Sequence, residues 1–391
     1  MNSVLAKPPL EIERSPRNTA LQATYDREMK TMRVYGSKVS YFTGKLEAYL
    51  RYKGIAYERE PLIPYQKQIR AHLGTTQMPA VELDDGRWMS DSTPIIEYFE
   101  KEFPEAPVLP EDPVLRFIAL LIEDYADEWL WRSAMHYRWS YRHSRELLSS
   151  ILVDEQMGRF PLPRFIKKRM IARRQRNGFV TGDGVSDATW NHVESGYFAV
   201  LDNMTRMLSG RRFLLGDSPS IADIGLMGPM LRHFGQDPTP VDLMRDRAPV
   251  VYAWVARMWN EKASCASPVW LDAIPEDAQP MLQEICETHL VQLAENAEAF
   301  RKDVGRFDMK VQGCPYRELP VSRYRVWCLE ELRRHFDALS GDQQEQVRAL
   351  LAYPGAEILW TTEGPAPSGY DEAREAPFNR AINVYAQGVP R

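Results

Sequence analysis

The chain has 391 residues, 44% of them hydrophobic and 26% charged, which is typical of a globular protein with two or three domains. Its 49 basic and 54 acidic residues give a net charge of −5, which argues against a general nucleic-acid-binding protein. No apolar run approaches the ~20 residues of a membrane span, and the first residues lack a signal-peptide core. We therefore expect a cytoplasmic protein with no transmembrane segment.

After a polar arm over residues 1–30, strand and helix patterns alternate up to residue 104. Apolar residues two apart indicate strands, and apolar residues three and four apart indicate helices. Gly54 and Gly74 are typical helix ends, and Asp84–Gly86 is typical of a hairpin turn. The predicted elements are a strand at 32–35, a helix at 42–53, a strand at 55–60, a short helix at 65–73, strands at 78–83 and 87–89, and a helix that begins at Ser92.

Four prolines between Pro104 and Pro113 predict a linker over residues 105–112. Beyond the linker strand patterns largely vanish, so we expect a helical domain over residues 113–275 and a helical extension over residues 276–391. The aromatic content of this extension predicts that it docks on the preceding domain, although its tail after Thr361 is rich in glycine and proline. Predicted helices cover residues 117–148, 190–208, 220–234, 250–262, 281–301 and 321–339.

The cysteines and histidines give no sign of a metal site. The four cysteines match no zinc-binding spacing, and the seven histidines form no HExxH motif. We therefore expect free thiols in a reducing compartment. The cysteines are Cys265, Cys286, Cys314 and Cys328.

Several segments agree in order and spacing with one enzyme family. Val34–Gly54 is a strand, a loop and a helix, Met78-Pro79 opens a strand, and Asp91-Ser92 begins a helix. Farther on, Ser220–Asp223 is a capping box. Over residues 31–275 the chain thereby resembles the cytosolic glutathione transferases. The resemblance implies an α/β plus all-α fold, in which a thioredoxin-like β-α-β-α-β-β-α domain precedes a helical domain, and it implies a homodimer.

The resemblance also implies that glutathione is the co-substrate. The family proline at the position of Pro79 is cis and exposes the backbone of Met78 for strand-like pairing with the tripeptide. Ser92, at a helix N-terminus, suits the carboxylate of the ligand, and Asp91 suits its ammonium. Gln77 matches a position that holds the glycyl end. Lys38, Lys45 and Arg70 are further candidates for that last contact.

Family members place a Tyr, Ser or Cys after the first strand, aimed at the glutathione sulfur. Ser40 falls on the Ser or Cys position, so the resemblance implies that it is the catalytic residue. Its hydroxyl is too weakly acidic to be a base, so it would donate a hydrogen bond to the thiolate. No cysteine lies there, which disfavours a mixed-disulfide mechanism. Many relatives have proline after this residue, whereas this chain has Tyr41, so Tyr35, Ser37 and Tyr41 stay as candidates for the same role.

The second substrate is expected against the helical domain, where aromatic residues at helical spacing suit a small hydrophobic, aromatic electrophile. The same spacing is equally typical of core packing. The reaction would be conjugation or ether cleavage, since the segment Arg87–Asp91 and the acidic, aromatic helix faintly resemble bacterial etherase-type transferases. The residues concerned are Trp129, Trp131, Met135, His136, Tyr137 and Trp139.

Two alternative functions use the same fold, a non-catalytic scaffold and a glutathione-dependent isomerase or lyase. A separate feature is the segment from Arg159 to Arg176, which has eight basic residues and no acidic one. Such segments bind membranes or nucleic acid, or form a solvated face. We favour the solvated face, paired with the acidic patches Glu123-Asp124 and Asp127-Glu128.

Overall fold

A computed structural model describes residues 32–263, 267–361 and 366–371. The predicted N-terminal arm and Cys265 lie outside these ranges, as does most of the predicted tail after Thr361. No helix within the described ranges is long and apolar enough to cross a membrane.

The first part of the chain has the predicted thioredoxin-like order of elements. The sheet order is β2-β1-β3-β4, with β1 parallel to β2 and β3 antiparallel to both of its neighbours. Gly54 and Gly74 end the first two helices in the left-handed conformation that glycine adopts readily. The elements are β1 (Met32–Gly36), α1 (Tyr41–Lys53), β2 (Tyr57–Pro61), α2 (Leu62–Leu73), β3 (Ala80–Glu82), β4 (Trp88–Ser90) and α3 (Ser92–Glu102).

A helical domain follows, as predicted, but its helices differ in detail from the sequence pattern. The predicted helix at 117–148 is three helices, and neither Gly nor Pro marks the breaks near Trp129 and Tyr141. The basic segment contains a helix of its own. The helices are α4 (Pro113–Glu128), α5 (Leu130–Trp139), α6 (Arg142–Gln156), α7 (Arg164–Phe179), α8 (Trp190–Leu208), α9 (Ile221–Pro229), a π-helical turn (Met230–Phe234), α10 (Pro238–Arg247) and α11 (Pro249–Asn260).

Helix α10 was absent from the prediction because Pro238 and Pro240 look like helix breakers. Both prolines lie in its first turn, where the missing N–H costs nothing. The Ser220–Asp223 capping box is present as predicted: the Asp223 carboxylate accepts from the Ser220 backbone N–H at 3.0 Å. This box fixes the start of α9, the most buried helix of the domain.

The prediction of a helical extension is incomplete: both predicted helical stretches are present, but the extension also contains a β-hairpin. Its strands are β5 (Arg306–Val311) and β6 (Cys314–Pro320), joined at Gln312-Gly313. Alternate residues of β5 are buried, which is the period-two pattern of a strand. The remaining elements are α12 (Gln279–Glu284), a π-helical segment (Ile285–Leu290), α13 (Val291–Arg301), α14 (Arg323–Asp337) and α15 (Gly341–Leu350).

The extension docks on the helical domain through buried polar contacts as well as apolar packing. His289 contacts the Asp124 carboxylate at 2.6 Å, and Arg325 forms an ion pair with Glu128 at 3.0 Å. Both acidic residues belong to α4, and apolar residues of the extension such as Leu293 are fully buried. The extension is therefore part of one continuous hydrophobic core with the rest of the chain.

Truncation after Pro275 should produce an aggregation-prone protein. The cut uncovers the apolar surface of α4 and removes the partners of Asp124 and Glu128, and both losses favour the unfolded state. We expect increased binding of a hydrophobic dye, high-molecular-weight species in gel filtration, and a melting temperature lower by several degrees or more. A monodisperse truncated protein with an unchanged melting temperature would show that the extension is an independent appendage.

Candidate functional site

The strand register brings three predicted site segments to one end of the sheet. Tyr35 of β1 pairs with Ala80 of β3, and Ala80 pairs with Ser90 of β4. The loop after β1, the Met78-Pro79 bond before β3 and Asp91 after β4 therefore lie side by side. The Met78-Pro79 peptide is cis, as predicted. Gln77 and Met78 are half-buried.

Ser40 is the N-cap of α1, in the loop that follows β1 at this end of the sheet. Its side-chain oxygen accepts from the Thr43 backbone N–H at 3.4 Å, and the residue is half-buried. Since the oxygen acts as an acceptor in this contact, the hydroxyl hydrogen stays available as a donor. The positive end of the helix dipole lies at the same place.

The helical domain holds the loop that carries Ser40. Arg138 of α5 donates to the Val39 carbonyl at 2.6 Å, and Asp237 fixes the same guanidinium at 2.7 Å. Ser37 donates to Glu155 of α6 at 2.5 Å. These contacts join residues about a hundred positions apart in the chain, and they hold the loop at Ser37 and Val39, just before Ser40. The Ser40 hydroxyl is thereby presented by a rigid support.

The three competing hydroxyls are committed to partners within the protein. Ser37 is buried, and its hydroxyl donates to Glu155. The Tyr35 hydroxyl donates to Glu82 at 2.6 Å, and burial together with Glu82 raises the pKa of Tyr35 to about 12. The Tyr41 hydroxyl donates to the Ala126 carbonyl in the core, where burial raises its pKa well above the usual range. Ser40 is therefore the best placed of the four for a ligand.

Asp91 lies in the sharp turn between β4 and α3, with a left-handed φ of 74°. One oxygen of its carboxylate, Oδ2, is buried without a hydrogen-bond partner among the described residues. Burial raises the pKa of Asp91 to about 6, and the nearby Tyr324 hydroxyl partly offsets this effect. Tyr324 belongs to α14 of the extension, and nothing in the sequence pattern indicated that it reaches this site. Ser92 is the first residue of α3 and is buried.

Lys45 is not available for the glycyl end of a ligand. Its ammonium is fully buried and contacts Glu123, Asp127 at 2.5 Å and Thr93 at 2.8 Å. Burial alone would lower the pKa of Lys45, but the two carboxylates outweigh it and raise the pKa. Lys38 and Arg70 have exposed side chains, so both stay accessible to a ligand.

A cluster of half-buried aromatic rings includes Phe42, two residues after Ser40. Phe42 stacks on Trp131 with ring centroids 5.4 Å apart, and Phe179 meets Trp131 edge-on at 5.4 Å. We call these three residues the aromatic wall. Phe179, from α7, was not singled out in the sequence. The remaining candidates from the aromatic helix are packed in the core, namely Trp129, Met135, His136, Tyr137 and Trp139.

Comparison with known families agrees with this architecture. Residues 34–107 match the family described as "Glutathione S-transferase, N-terminal domain", and residues 172–257 match "Glutathione S-transferase, C-terminal domain". The chain belongs to the glutathione transferase superfamily. It extends well beyond the second matched domain, and the described part holds no group of three His, Cys, Asp or Glu side chains placed to bind a metal ion.

Two curated plant relatives match part of this chain. Glutathione S-transferase U7 of Arabidopsis thaliana is 29% identical over 106 residues, and the probable glutathione S-transferase BZ2 of Zea mays is 32% identical over 111 residues. The matches cover 27% and 26% of this chain and 47% of each relative. The chain thus spans about half the length of the curated relatives that it matches.

Similar solved structures cover more of the chain at lower identity. The β-etherase LigF from Sphingobium sp. strain SYK-6 is 23% identical, with a TM-score of 0.41, over 59% of this chain and 96% of that chain. A glutathione S-transferase from Methylobacterium radiotolerans, solved with glutathione sulfonate, is 18% identical with a TM-score of 0.37, over 63% of this chain and 99% of that chain.

Proposed function

We propose that this protein is a glutathione transferase that activates the glutathione thiolate for attack on a small hydrophobic, aromatic electrophile. The observation that carries the proposal is the convergence of Ser40, the cis Met78-Pro79 bond and the Asp91-Ser92 turn at one end of the sheet. A homodimer and a cytoplasmic location, expected from the resemblance, stay predictions.

Glutathione would bind as an extended peptide beside β3. The backbone of Met78 would pair with its cysteinyl unit, and Gln77 would contact the glycyl end. The γ-glutamyl carboxylate would meet Ser92 at the N-terminus of α3, where backbone N–H groups and the helix dipole favour an anion. Asp91, whose Oδ2 is buried without a partner among the described residues, would receive the ammonium.

The chemical role of Ser40 is to stabilise the thiolate. Lowering the thiol pKa by about two units requires roughly 2.7 kcal/mol. A hydrogen bond to a charged sulfur supplies about 1.5–3 kcal/mol, and a helix N-terminus adds about 0.3–1 kcal/mol. Together they supply about 1.8–4 kcal/mol, a range that includes the required value. The sulfur lone pair then forms the S–C bond to the electrophile, and the leaving group, an alkoxide or phenoxide in ether cleavage, departs with the bonding electrons.

The aromatic wall supports a hydrophobic second substrate. Phe42 follows Ser40 by two residues, so it belongs to the same chain segment as the hydroxyl that would contact the glutathione sulfur. Trp131 and Phe179 extend the same apolar surface from α5 and α7. Because all three rings are only half-buried, an aromatic electrophile could stack on them without displacing the core.

Thermal unfolding with glutathione tests this proposal. The ligand should raise the melting temperature by mass action, and Ser92→Ala should weaken its binding by about 5- to 30-fold, because a carboxylate partner worth about 1–2 kcal/mol is lost. The matched control is Ser195→Ala, an exposed serine on α8, which should leave the affinity unchanged. No shift at tens of millimolar glutathione would contradict the proposal and favour the non-catalytic scaffold. Binding without transfer to aromatic electrophiles would favour the isomerase or lyase.

A further inference from the structure

Helix α7 and the loop before it form an exposed basic surface that the proposed function does not use. The favoured expectation that this segment pairs with the acidic patches of α4 is wrong. Glu123 and Asp127 are occupied by Lys45, and the remaining two acidic residues are bound by His289 and Arg325. The basic charges of α7 therefore need another explanation.

Most of these charges have no acidic partner within the described ranges. Arg164 alone pairs with an acid, Asp154, at 2.6 Å, and Lys167 is turned inward to the Met157 carbonyl at 2.9 Å. In a chain with a net charge of −5, these cations are concentrated on one helix and the loop before it, which favours the binding of an anion there. The basic side chains without a salt bridge to any described residue are Arg159, Lys168, Arg169, Arg173, Arg174 and Arg176.

Large apolar side chains are exposed on α7 and in the loop before it. Phe165 is 71% exposed, Met170 is 47% exposed, and Phe160 in the preceding loop is 48% exposed. Phe165, Arg169 and Arg173 are four residues apart in succession, so they form one stripe along α7. We call this set of exposed basic and apolar side chains the α7 face.

Beside the stripe, α6 and α7 enclose an open groove of about 550 Å³ with a strongly basic lining. Arg145 of α6 faces Arg169, Arg173 and Arg176 across it. The acidic residue of the lining, Glu146, is already held by Arg142 at 2.7 Å. The groove therefore offers several guanidinium groups, which bind phosphate oxygens in bidentate geometry.

We propose that the α7 face docks on the surface of a bilayer that contains anionic phospholipids. Phe160, Leu162 and Phe165 would enter the boundary between headgroups and acyl chains, while Arg169 and Arg173 contact lipid phosphates. Charge complementarity selects an anionic partner. The exposed apolar rings select lipid over nucleic acid, because a phosphodiester backbone gives them nothing to bury against.

Co-sedimentation of the full chain with vesicles tests this docking. The protein should bind vesicles of phosphatidylcholine with phosphatidylserine far better than vesicles of phosphatidylcholine alone, and high salt should weaken the binding. The triple variant Arg169→Gln, Arg173→Gln, Arg176→Gln should lower the partition coefficient roughly 100-fold. The double variant Phe160→Ser, Phe165→Ser should lower it roughly 10-fold or more without changing net charge.

A matched control separates the effect of the α7 face on vesicle binding from the effect of net charge. Arg206→Gln, Arg306→Gln, Lys310→Gln removes the same charge from exposed positions elsewhere and should bind vesicles like the wild type. Failure of the wild type to bind phosphatidylserine vesicles would overturn the proposal, as would equal losses in the two triple variants. Binding of duplex DNA or RNA that needs the arginines but not the phenylalanines, together with weak vesicle binding, would assign the face to nucleic acid instead.

Discussion

Ser40→Ala should lower kcat/KM near neutral pH by roughly 10- to 150-fold while glutathione affinity changes little. The lost interaction is a hydrogen bond to a charged sulfur, worth about 1.5–3 kcal/mol, and it is made mainly to the thiolate. Steady-state kinetics with an aromatic electrophile measure the effect. The deficit should shrink above pH ~9, because a thiol with an ordinary pKa near 8.5 then ionises without help.

Two further variants each delete one hydroxyl near the same loop and serve as controls. Tyr35→Phe and Tyr41→Phe remove hydroxyls that donate to Glu82 and to the Ala126 carbonyl, so neither should shift the pH profile. Because Ser40 is also a helix N-cap, its loss should cost about 0.5–2 kcal/mol of stability, and the assays must be made well below the melting temperature. If the pH profile shifts in one of the controls and not in Ser40→Ala, the residue changed in that control, and not Ser40, stabilises the thiolate.

Lys45→Met should be the most destabilising single substitution near the site, at about 3–5 kcal/mol. The change leaves Glu123 and Asp127 buried without their cation, and an unpaired buried charge costs more than a broken surface pair. Chemical denaturation measures the loss. The exposed Lys67→Met is the control and should change the free energy of unfolding by less than about 0.5 kcal/mol.

The loss of stability caused by Lys45→Met should be smaller at low pH than at neutral pH. Without the lysine, burial raises the carboxyl pKa values of the folded state above the unfolded value of about 4. Protonation then favours the folded state, so the deficit is smallest near pH 4 and grows as the pH rises. A deficit that is equal across this range would contradict the ion-pair account.

The sequence was sufficient for the first domain because local signals agree there. Strand alternation, the glycines at 54 and 74 and the Asp84–Gly86 turn each specify one element. The C-terminal hairpin was missed although Phe307, Met309 and Val311 alternate with polar residues. The breaks after α4 and α5 carry no Gly or Pro, so no local signal marks them.

The candidate site, like the fold, was predictable from the sequence only in part. The resemblance supplied Ser40, Pro79 and Ser92, because their motifs are short and local. The support for Ser40 from Arg138, and the approach of Tyr324 to Asp91, join residues far apart in the chain. Such contacts depend on how helices pack, and no single-sequence pattern encodes them.

The most direct test of thiolate activation by Ser40 is a pH titration of the bound glutathione thiol, followed by the ultraviolet absorbance of the thiolate. In the wild type the thiol should titrate below the value of free glutathione, and in Ser40→Ala it should titrate about one to two pH units higher than in the wild type. Coincident titration curves for the two proteins would contradict the role of Ser40.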